Sequence, residues 1–176
     1  MFSEQELIKE CIKGNRKAEK ELYDKYNNLF FAICLRYTNS REEAEDILIT
    51  GFMAIFESLP SYKHQGSFEG WMKRIMVHTA IDHFRVNKKH FADTDIENCQ
   101  PIEASTMQEN IDAKDILKQI HAMPEGYKQV FNLYAIEGYK HSEIASMLEV
   151  SEGTSKSQYA KAKKWLQCRL QEYKYK

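Results

Sequence analysis

Residues whose types and spacing suit DNA binding lie in the stretch 141–164, HSEIASMLEVSEGTSKSQYAKAKK. The apolar spacing of Ile144, Ala145 and Leu148 predicts a short helix, and Ser151 is a suitable N-cap for a second helix. At 100° per residue, one face of the second helix carries small, hydroxylated and cationic side chains: Gly153, Thr154, Ser157, Lys161 and Lys164. Such side chains permit close approach to DNA, reach phosphates or base edges, and replace counterions. The pattern indicates a helix-turn-helix, with a helical hairpin bearing a solvated lysine face as the alternative.

A second group of residues mixes aromatic rings with cations between positions 62 and 89. Unstacked bases of a single strand can stack on aromatic rings while cations follow the phosphates. The helical spacing of Trp71 and Phe84 favours a core position for both. The better candidates for contact are therefore the loop 62–67 and the cations Lys63, Arg74, Arg85, Lys88 and Lys89.

A third feature is an apolar strip edged by carboxylates on a predicted helix. Glu45, Ile49 and Met53 follow one another at intervals of four residues, away from the main apolar face of that helix. An exposed strip of this kind favours docking of a partner helix. The alternative is a wide stripe that is buried inside the bundle.

The sequence offers no convergent set of residues for catalysis or for metal binding. The six histidines are scattered, and the four cysteines form no Cys-x-x-Cys pair. The acidic pairs at 42–43 and 45–46 stand at a helix start, where the macrodipole favours anions. We therefore expect no enzyme activity, no catalytic residues, no metal site and no cofactor.

The elements that position these residues are predicted to be helices. Only three prolines and seven glycines occur, and 43% of the residues are hydrophobic. Capping boxes at Ser3 and Ser40 and a cap at Ser67 open helices that end near Gly14, Pro60 and Val86. A long helix is expected over about 17–37. Beyond these, helices are predicted over 111–122 and from Pro124, at position N1, to Glu137.

The scarcity of proline and glycine and the helical spacing predict an all-α fold, and the distribution of charge divides it into two small domains. Residues 93–112 carry six acidic and no basic side chains, whereas residues 113–176 carry 11 basic and seven acidic ones. We therefore divide the chain into a helical bundle over 1–92, an acidic linker over 93–112 and a helix-turn-helix domain over 113–176. No stretch has the length of apolar residues that a membrane span needs, and the N-terminus is acidic. The protein is expected to be cytoplasmic, without membrane insertion.

Three segments in this order resemble bacterial RNA polymerase sigma factors of the extracytoplasmic-function (ECF) type, in the sigma-70 family. AEDILITGF at 44–52 resembles region 2.2, and GSFEGWMKRIMVHTAIDHFR at 66–85 resembles regions 2.3 and 2.4. The segment 123–166 resembles region 4, most closely in the form met in Bacteroidetes. The resemblance covers nearly the whole chain.

The resemblance implies that the protein binds core RNA polymerase and directs recognition of promoter DNA. Region 2.2 would dock on the β′ clamp helices, and region 4 would contact the β flap. The residues expected to bind core polymerase are Glu45, Asp46, Ile49, Phe52 and Met53. Residues expected to open and hold the −10 element are Lys63, His64, Arg74, His78, Arg85 and Lys88. Residues expected to contact the −35 element are Thr154, Lys156, Ser157, Gln158, Lys161 and Lys164.

Two departures from the family pattern affect these expectations, and a third, at Ser155, is not expected to alter base reading. Ile49 and Thr50 stand where many members have Gln-Glu, so the clamp contact is expected to differ. His78 stands where Asn usually follows R-I-M-V, which concerns base preference at −10. Ser155 stands where many members have Val, on the side of the helix that faces the core.

The family pattern also implies an anti-sigma factor as a partner, and the acids of the linker suggest a nucleic-acid mimic. A helix-turn-helix repressor or activator that acts without core polymerase is the alternative function. A helical enzyme is the weakest hypothesis, because no catalytic constellation supports it.

Overall fold

The computed structural model describes residues 2–87 and 113–172, and every regular element in these ranges is helical. The helices are α1 (Glu4–Ile12), α2 (Arg16–Tyr37), α3 (Arg41–Ser58), α4 (Phe68–Asn87), α5 (Ala113–His121), α6 (Glu125–Phe131), α7 (His141–Leu148) and α8 (Glu152–Glu172). The chain divides into two compact units, Met1–Asn87 and Lys88–Lys176. The prediction of an all-α protein with two helical domains is therefore confirmed, while the predicted linker 93–112 lies outside the described residues.

Side-chain caps fix where the helices of the first unit begin. Ser3 and Glu6 form the predicted capping box: Ser3 Oγ accepts from the Glu6 amide at 3.4 Å, and Glu6 Oε2 accepts from the Ser3 amide at 2.9 Å. Ser40 Oγ caps α3 by accepting from the Glu43 amide at 3.1 Å. The second half of that box differs from the prediction, because the Glu43 carboxylate accepts from the amide of Asn39.

The core of the first unit lies where α2, α3 and α4 pack on one another. Its fully buried large side chains include Leu22, Phe30, Ile33, Ile47, Ile55, Phe68, Met72, Met76 and Ile81. Gly51 lets α3 approach α4 closely, since a Cβ atom at this position would overlap Met76 Sδ. A single core built from three helices holds α3 and α4 side by side.

In the second unit α8 packs against α5, α6 and α7. Ile120, Met123, Tyr127 and Ala162 form a buried cluster between these helices. Pro124 is the N-cap of α6 and not its first residue, and α6 ends at Phe131, where a π-helical turn follows over Asn132–Ile136. The predicted single helix up to Glu137 is thus two segments.

The turn between α7 and α8 contains a residue in the left-handed conformation. Glu149 has φ 56° and ψ 45°, and the amide of Val150 closes the turn by donating to the carbonyl of Ala145 at 3.0 Å. Ser151 then caps α8, its Oγ accepting from the amide of Thr154 at 2.9 Å. The sharp turn and the cap set the direction in which α8 leaves α7.

Candidate nucleic-acid and polymerase interfaces

The outer face of α3 carries the predicted apolar strip. Ile49 is 56% exposed and Met53 58% exposed, and the neighbouring Glu45 and Asp46 are also exposed. Glu45 accepts a hydrogen bond from Arg41 Nε at 2.8 Å. Of the two interpretations of this strip, the structure supports the exposed surface and excludes the buried stripe.

Phe52 does not belong to this exposed strip, contrary to the prediction. Its side chain is 3% exposed, and its ring lies 4.7 Å from the ring of Tyr23 and 5.7 Å from that of Phe30. Residue 52 lies one helical turn after the buried Leu48 and on the same side of α3, so its ring points toward α2. Phe52 is a core residue that supports the strip from beneath.

The loop between α3 and α4 is built on packed aromatic rings. The ring of Tyr62 lies 4.7 Å from His64, 5.2 Å from Phe68 and 4.9 Å from Trp71, measured between centroids. Tyr62 also donates from its hydroxyl to the carbonyl of Gly66 at 3.3 Å. His64 has φ 54°, a left-handed conformation that presents its ring at the surface of the loop. The cluster makes the loop a defined platform.

The cations predicted to contact the −10 element differ in their exposure to solvent. Lys63, Arg74 and His78 are exposed. Arg85 is partly buried and donates to Asp82 Oδ1 at 3.1 Å. Lys88 lies outside the described residues. The structure thus places four of the six predicted residues on accessible surface: Lys63, His64, Arg74 and His78.

A shallow cleft of about 340 Å³ lies between α3 and α4 and includes Arg74 and His78. It is lined by Ala54, Trp71, Arg74, Ile75, His78, Thr79 and Asp82. Its lining combines an indole ring and apolar side chains with a guanidinium, an imidazole, a hydroxyl and a carboxylate. Such a surface suits the flat face of an unstacked base with its phosphate beside it.

The surface of α8 that is open to solvent includes Gly153, Lys156, Ser157, Ala160 and Lys163. Lys156 donates to Glu152 Oε1 at 2.7 Å, one turn earlier on the helix. This hydrogen bond, and then the charge of Lys156, lower the pKa of the Glu152 carboxyl below its usual value. A phosphate at this position would therefore compete with Glu152 for Lys156.

Gln158 is not on this surface, which corrects the prediction that it reads bases. It is 7% exposed and lies on the inner side of α8 with Ser155 and Ala162. Lys161, on the same flank, is half-buried, with Nζ 6.0 Å from the ring of Tyr127 on α6. The helical wheel predicted a single covered face, whereas α6 covers this additional flank of α8.

Lys163 also lies on the exposed surface of α8, although it was not among the residues predicted to contact the −35 element. Its side chain is exposed, with Nζ 5.2 Å from the ring of Tyr159. Of the other predicted residues, Thr154 and Lys164 are half-buried, and the Thr154 hydroxyl shares a hydrogen bond with that of Ser151 at 2.8 Å. Lys163 follows Lys156 by seven residues and therefore shares its side of α8, whereas Lys161 lies about 200° around the helix from Lys163.

The first turns of α7 and α8 are joined by a polar contact. His141 Nδ1 lies 2.9 Å from the hydroxyl oxygen of Ser155, which is fully buried. The ring of Tyr134, from the π-helical turn, stacks on the His141 ring at 4.3 Å, with 12° between the planes. Tyr134 also contacts Tyr159 on α8 at 4.5 Å. Three segments of the second unit meet at this cluster.

Within 2–87 and 113–172, no three His, Cys, Asp or Glu side chains are grouped to hold a metal ion. In the same ranges, none of the helices combines the length and the apolar character needed to cross a membrane.

Comparison with known families finds two matches, in the order expected from the sequence. The family described as Sigma-70 region 2 matches residues 22–90, and the family described as Sigma-70, region 4 matches residues 113–166. The first match includes α3, the aromatic loop and α4. The second includes α5 to α7 and most of α8.

Curated relatives are similar along nearly their whole length. An ECF RNA polymerase sigma-E factor of Haemophilus influenzae is 24% identical over 97% of this chain and 96% of its own. The ECF RNA polymerase sigma factor SigW of Bacillus subtilis is 25% identical over 94% of this chain and 95% of its own.

Among solved structures, the sigma factor RpoE of Bartonella quintana, in complex with the anti-sigma factor NepR, has a TM-score of 0.53. It is 17% identical and covers 86% of this chain and 96% of its own. This likeness shows the fold.

Proposed function

Given that this chain belongs to the sigma-70 family, among its ECF members, we propose how its two units divide the work of promoter recognition. Members of the family associate with core RNA polymerase and direct it to promoters; they are not enzymes. The observation that carries the proposal is that regions 2 and 4 occur in one chain, each in a helical unit with its own core. The resemblance of region 4 to the Bacteroidetes form remains a prediction.

The strip on α3 is proposed as the surface that binds the β′ clamp helices. Ile49 and Met53 supply exposed apolar side chains, and Glu45 and Asp46 supply carboxylates beside them. A partner helix would cover the apolar pair, while basic groups on the partner would meet the acids. Phe52 acts only through the core, by holding α3 against α2.

The aromatic loop and the cleft beside it are proposed to hold the opened −10 element. His64 and Lys63 stand on the loop, while Arg74 and His78 stand at the edge of the cleft. Stacking on rings is worth about 1–3 kcal/mol per base, and it needs no specific base edge. His78 therefore supplies the polar group best placed to discriminate between bases. Lys88 and the partly buried Arg85 are proposed as phosphate contacts.

The exposed surface of α8 is proposed to contact the −35 element. Lys156, Ser157 and Lys163 face outward around the small residues Gly153 and Ala160. Small residues let the helix enter the major groove, and the lysines lie where phosphates or guanine edges would come. Lys164, Lys161 and Thr154 are assigned to the flanks of the contact, where the β flap would also approach this unit.

An anti-sigma factor is proposed as a further partner. The solved RpoE structure contains the anti-sigma factor NepR, and another similar structure, CnrH, contains the cytosolic domain of CnrY. A protein that covered the α3 strip would exclude core polymerase by competition for the same surface.

The proposal is tested by transcription with purified components. Core polymerase with this protein should transcribe from promoters selected by the holoenzyme, and mutation of either the −35 or the −10 element should abolish the transcript. The matched control is core polymerase with a housekeeping sigma factor on the same templates. If the protein binds duplex DNA tightly without core polymerase and never supports a transcript, it is a repressor or activator instead.

A further inference from the structure

The cluster around His141 contains a hydrogen bond that ties α8 to α7. Ser155 lies in the first turn of α8, and its side chain is fully buried. A buried hydroxyl without a partner costs free energy, so the bond to His141 Nδ1, at 2.9 Å, fixes where α8 can lie. Either group can donate: the hydroxyl to a bare Nδ1, or a protonated Nδ1 to the hydroxyl oxygen.

The imidazole is itself held in place by its neighbours. Tyr134 stacks on it at 4.3 Å, and the ring of Tyr159 lies 5.9 Å away. Tyr159 follows Ser155 by one helical turn, so α8 meets this cluster at two successive positions on one side. One directional bond and one ring contact thus add to the packing of Ala162 in constraining the rotation of α8 about its axis.

Residues proposed to face DNA adjoin this bond in the sequence. Lys156 and Ser157 directly follow Ser155 and point to the opposite, exposed side of α8. A rotation that relaxed the contact between His141 and Ser155 would turn Lys156 and Ser157 by the same angle. Because base-edge contacts depend on hydrogen-bond geometry, such a rotation would weaken them more than contacts to phosphates.

We propose that His141 and Ser155 are positioning residues that set the orientation of α8 and so its discrimination among −35 sequences. This inference rests on the proposed function of α8. It assigns a role to Ser155, a position where many members of the family have Val. An apolar side chain there can only pack, whereas the hydroxyl adds a directional constraint.

Two variants of equal size separate the hydroxyl from its packing. Ser155→Thr and Ser155→Val add the same volume, but only Thr keeps the hydroxyl. His141→Phe keeps a ring against Tyr134 but removes Nδ1. The double variant His141→Phe/Ser155→Val completes a mutant cycle.

The measurement uses holoenzyme and duplex promoters, with the −35 element first selected from random sequence by the wild-type holoenzyme. The quantity compared is the ratio of affinities for this element and for a version with one base pair replaced. Ser155→Val and His141→Phe should each reduce the ratio about 2- to 10-fold, as the loss of one hydrogen bond implies. Ser155→Thr should retain the ratio, and the double variant should lose no more than the worse single variant.

Urea unfolding of each variant in a Trp71→Phe background, followed by the fluorescence of Trp165, provides the readout for a purely structural role. If Ser155→Val and His141→Phe lower stability but keep the wild-type ratio, the positioning role is refuted. Equal ratios for the Thr and Val variants would refute it as well. If wild-type holoenzyme shows no −35 preference, the proposed function fails first, and this inference fails with it.

Discussion

Gln158 carries an amide group into the interior of the second unit. The side chain is 7% exposed, and within the described part of the chain its Oε1 accepts no hydrogen bond. A buried amide oxygen without a donor is a cost in free energy that a leucine of similar size would avoid. The sequence offered no sign of this, since glutamine is ordinarily a surface residue and a good base reader.

Replacement of Gln158 by leucine is therefore expected to keep the free energy of unfolding or to raise it by about 1 kcal/mol. The preference of the holoenzyme at each base pair of the −35 element should not change. Urea unfolding and binding to a set of single-substituted −35 duplexes measure the two quantities. A loss of preference at one base pair would restore Gln158 to the base-reading set.

Two buried thiols should be slow to react in the folded protein. Burial raises the pKa of Cys34 to about 12 and that of Cys11 to about 11. The reactive thiolate is therefore scarce at pH 8 in the folded state, and stability that depends on the neutral thiols falls as the pH rises through 9 toward 12. Iodoacetamide labelling at pH 8, mapped by peptide mass, should modify both residues much faster in urea. Equal rates in the folded and unfolded states would contradict their burial.

At the scale of elements, α3 has a buried face and an exposed face, for which separate roles are proposed. Phe52→Ala should destabilise the protein by about 3–5 kcal/mol, because it leaves a cavity against Tyr23 and Phe30. Ile49→Ala with Met53→Ala should change stability by less than about 1 kcal/mol but abolish binding to core polymerase. Urea unfolding and co-purification with core enzyme measure these effects. Ile12→Ala, an exposed apolar residue on α1, is the control and should bind core normally.

The exposed side of α8 allows a test with two lysines of the same unit. Lys163→Ala should reduce the slope of log affinity against log salt concentration by about one, because one phosphate contact is lost. Lys118→Ala removes an exposed lysine from α5 and should leave the slope unchanged. Binding of holoenzyme to promoter duplex between low and moderate salt gives both slopes. If Lys118→Ala changes the slope as much as Lys163→Ala, general charge and not the α8 surface accounts for the effect.

The helices themselves were predictable, because capping residues and apolar spacing are local signals. Ser3, Ser40, Ser67 and Ser151 each cap a helix where the sequence indicated one. The faces of the helices were less predictable. Which flank of α8 is covered depends on α6, and spacing within α8 carries no information about a neighbouring helix. Gln158 was misplaced for that reason. Phe52 was expected to bind polymerase because of the resemblance to the family, and not because of the spacing within α3.

For the whole molecule, two cores in one chain imply two unfolding units. Each unit contains one of the two tryptophans, Trp71 in the first and Trp165 in the second. Single-tryptophan variants, Trp165→Phe and Trp71→Phe, should therefore report different midpoints in urea, since domains with separate cores need not unfold together. Coincident transitions for both variants, with equal slopes, would show that the units unfold as one.

The order of the two units was predicted from three segments that resemble the family, and the all-α class from composition and capping. The secondary structure of residues 93–112 could not be predicted. This segment combines many acids with no periodic pattern, and periodicity is the signal from which helices and strands are predicted.

The left-handed conformation of Glu149 offers a position at which the thermal stability of this protein can be raised. A residue with a Cβ atom pays about 1–2 kcal/mol for a positive φ, whereas glycine adopts it freely. Glycine at position 149 would relieve that strain in the turn between α7 and α8, and every side chain on the exposed surface of α8 would remain. A Glu149→Gly variant should therefore unfold at a higher temperature while leaving unchanged the residues of α8 that are proposed to contact the −35 element.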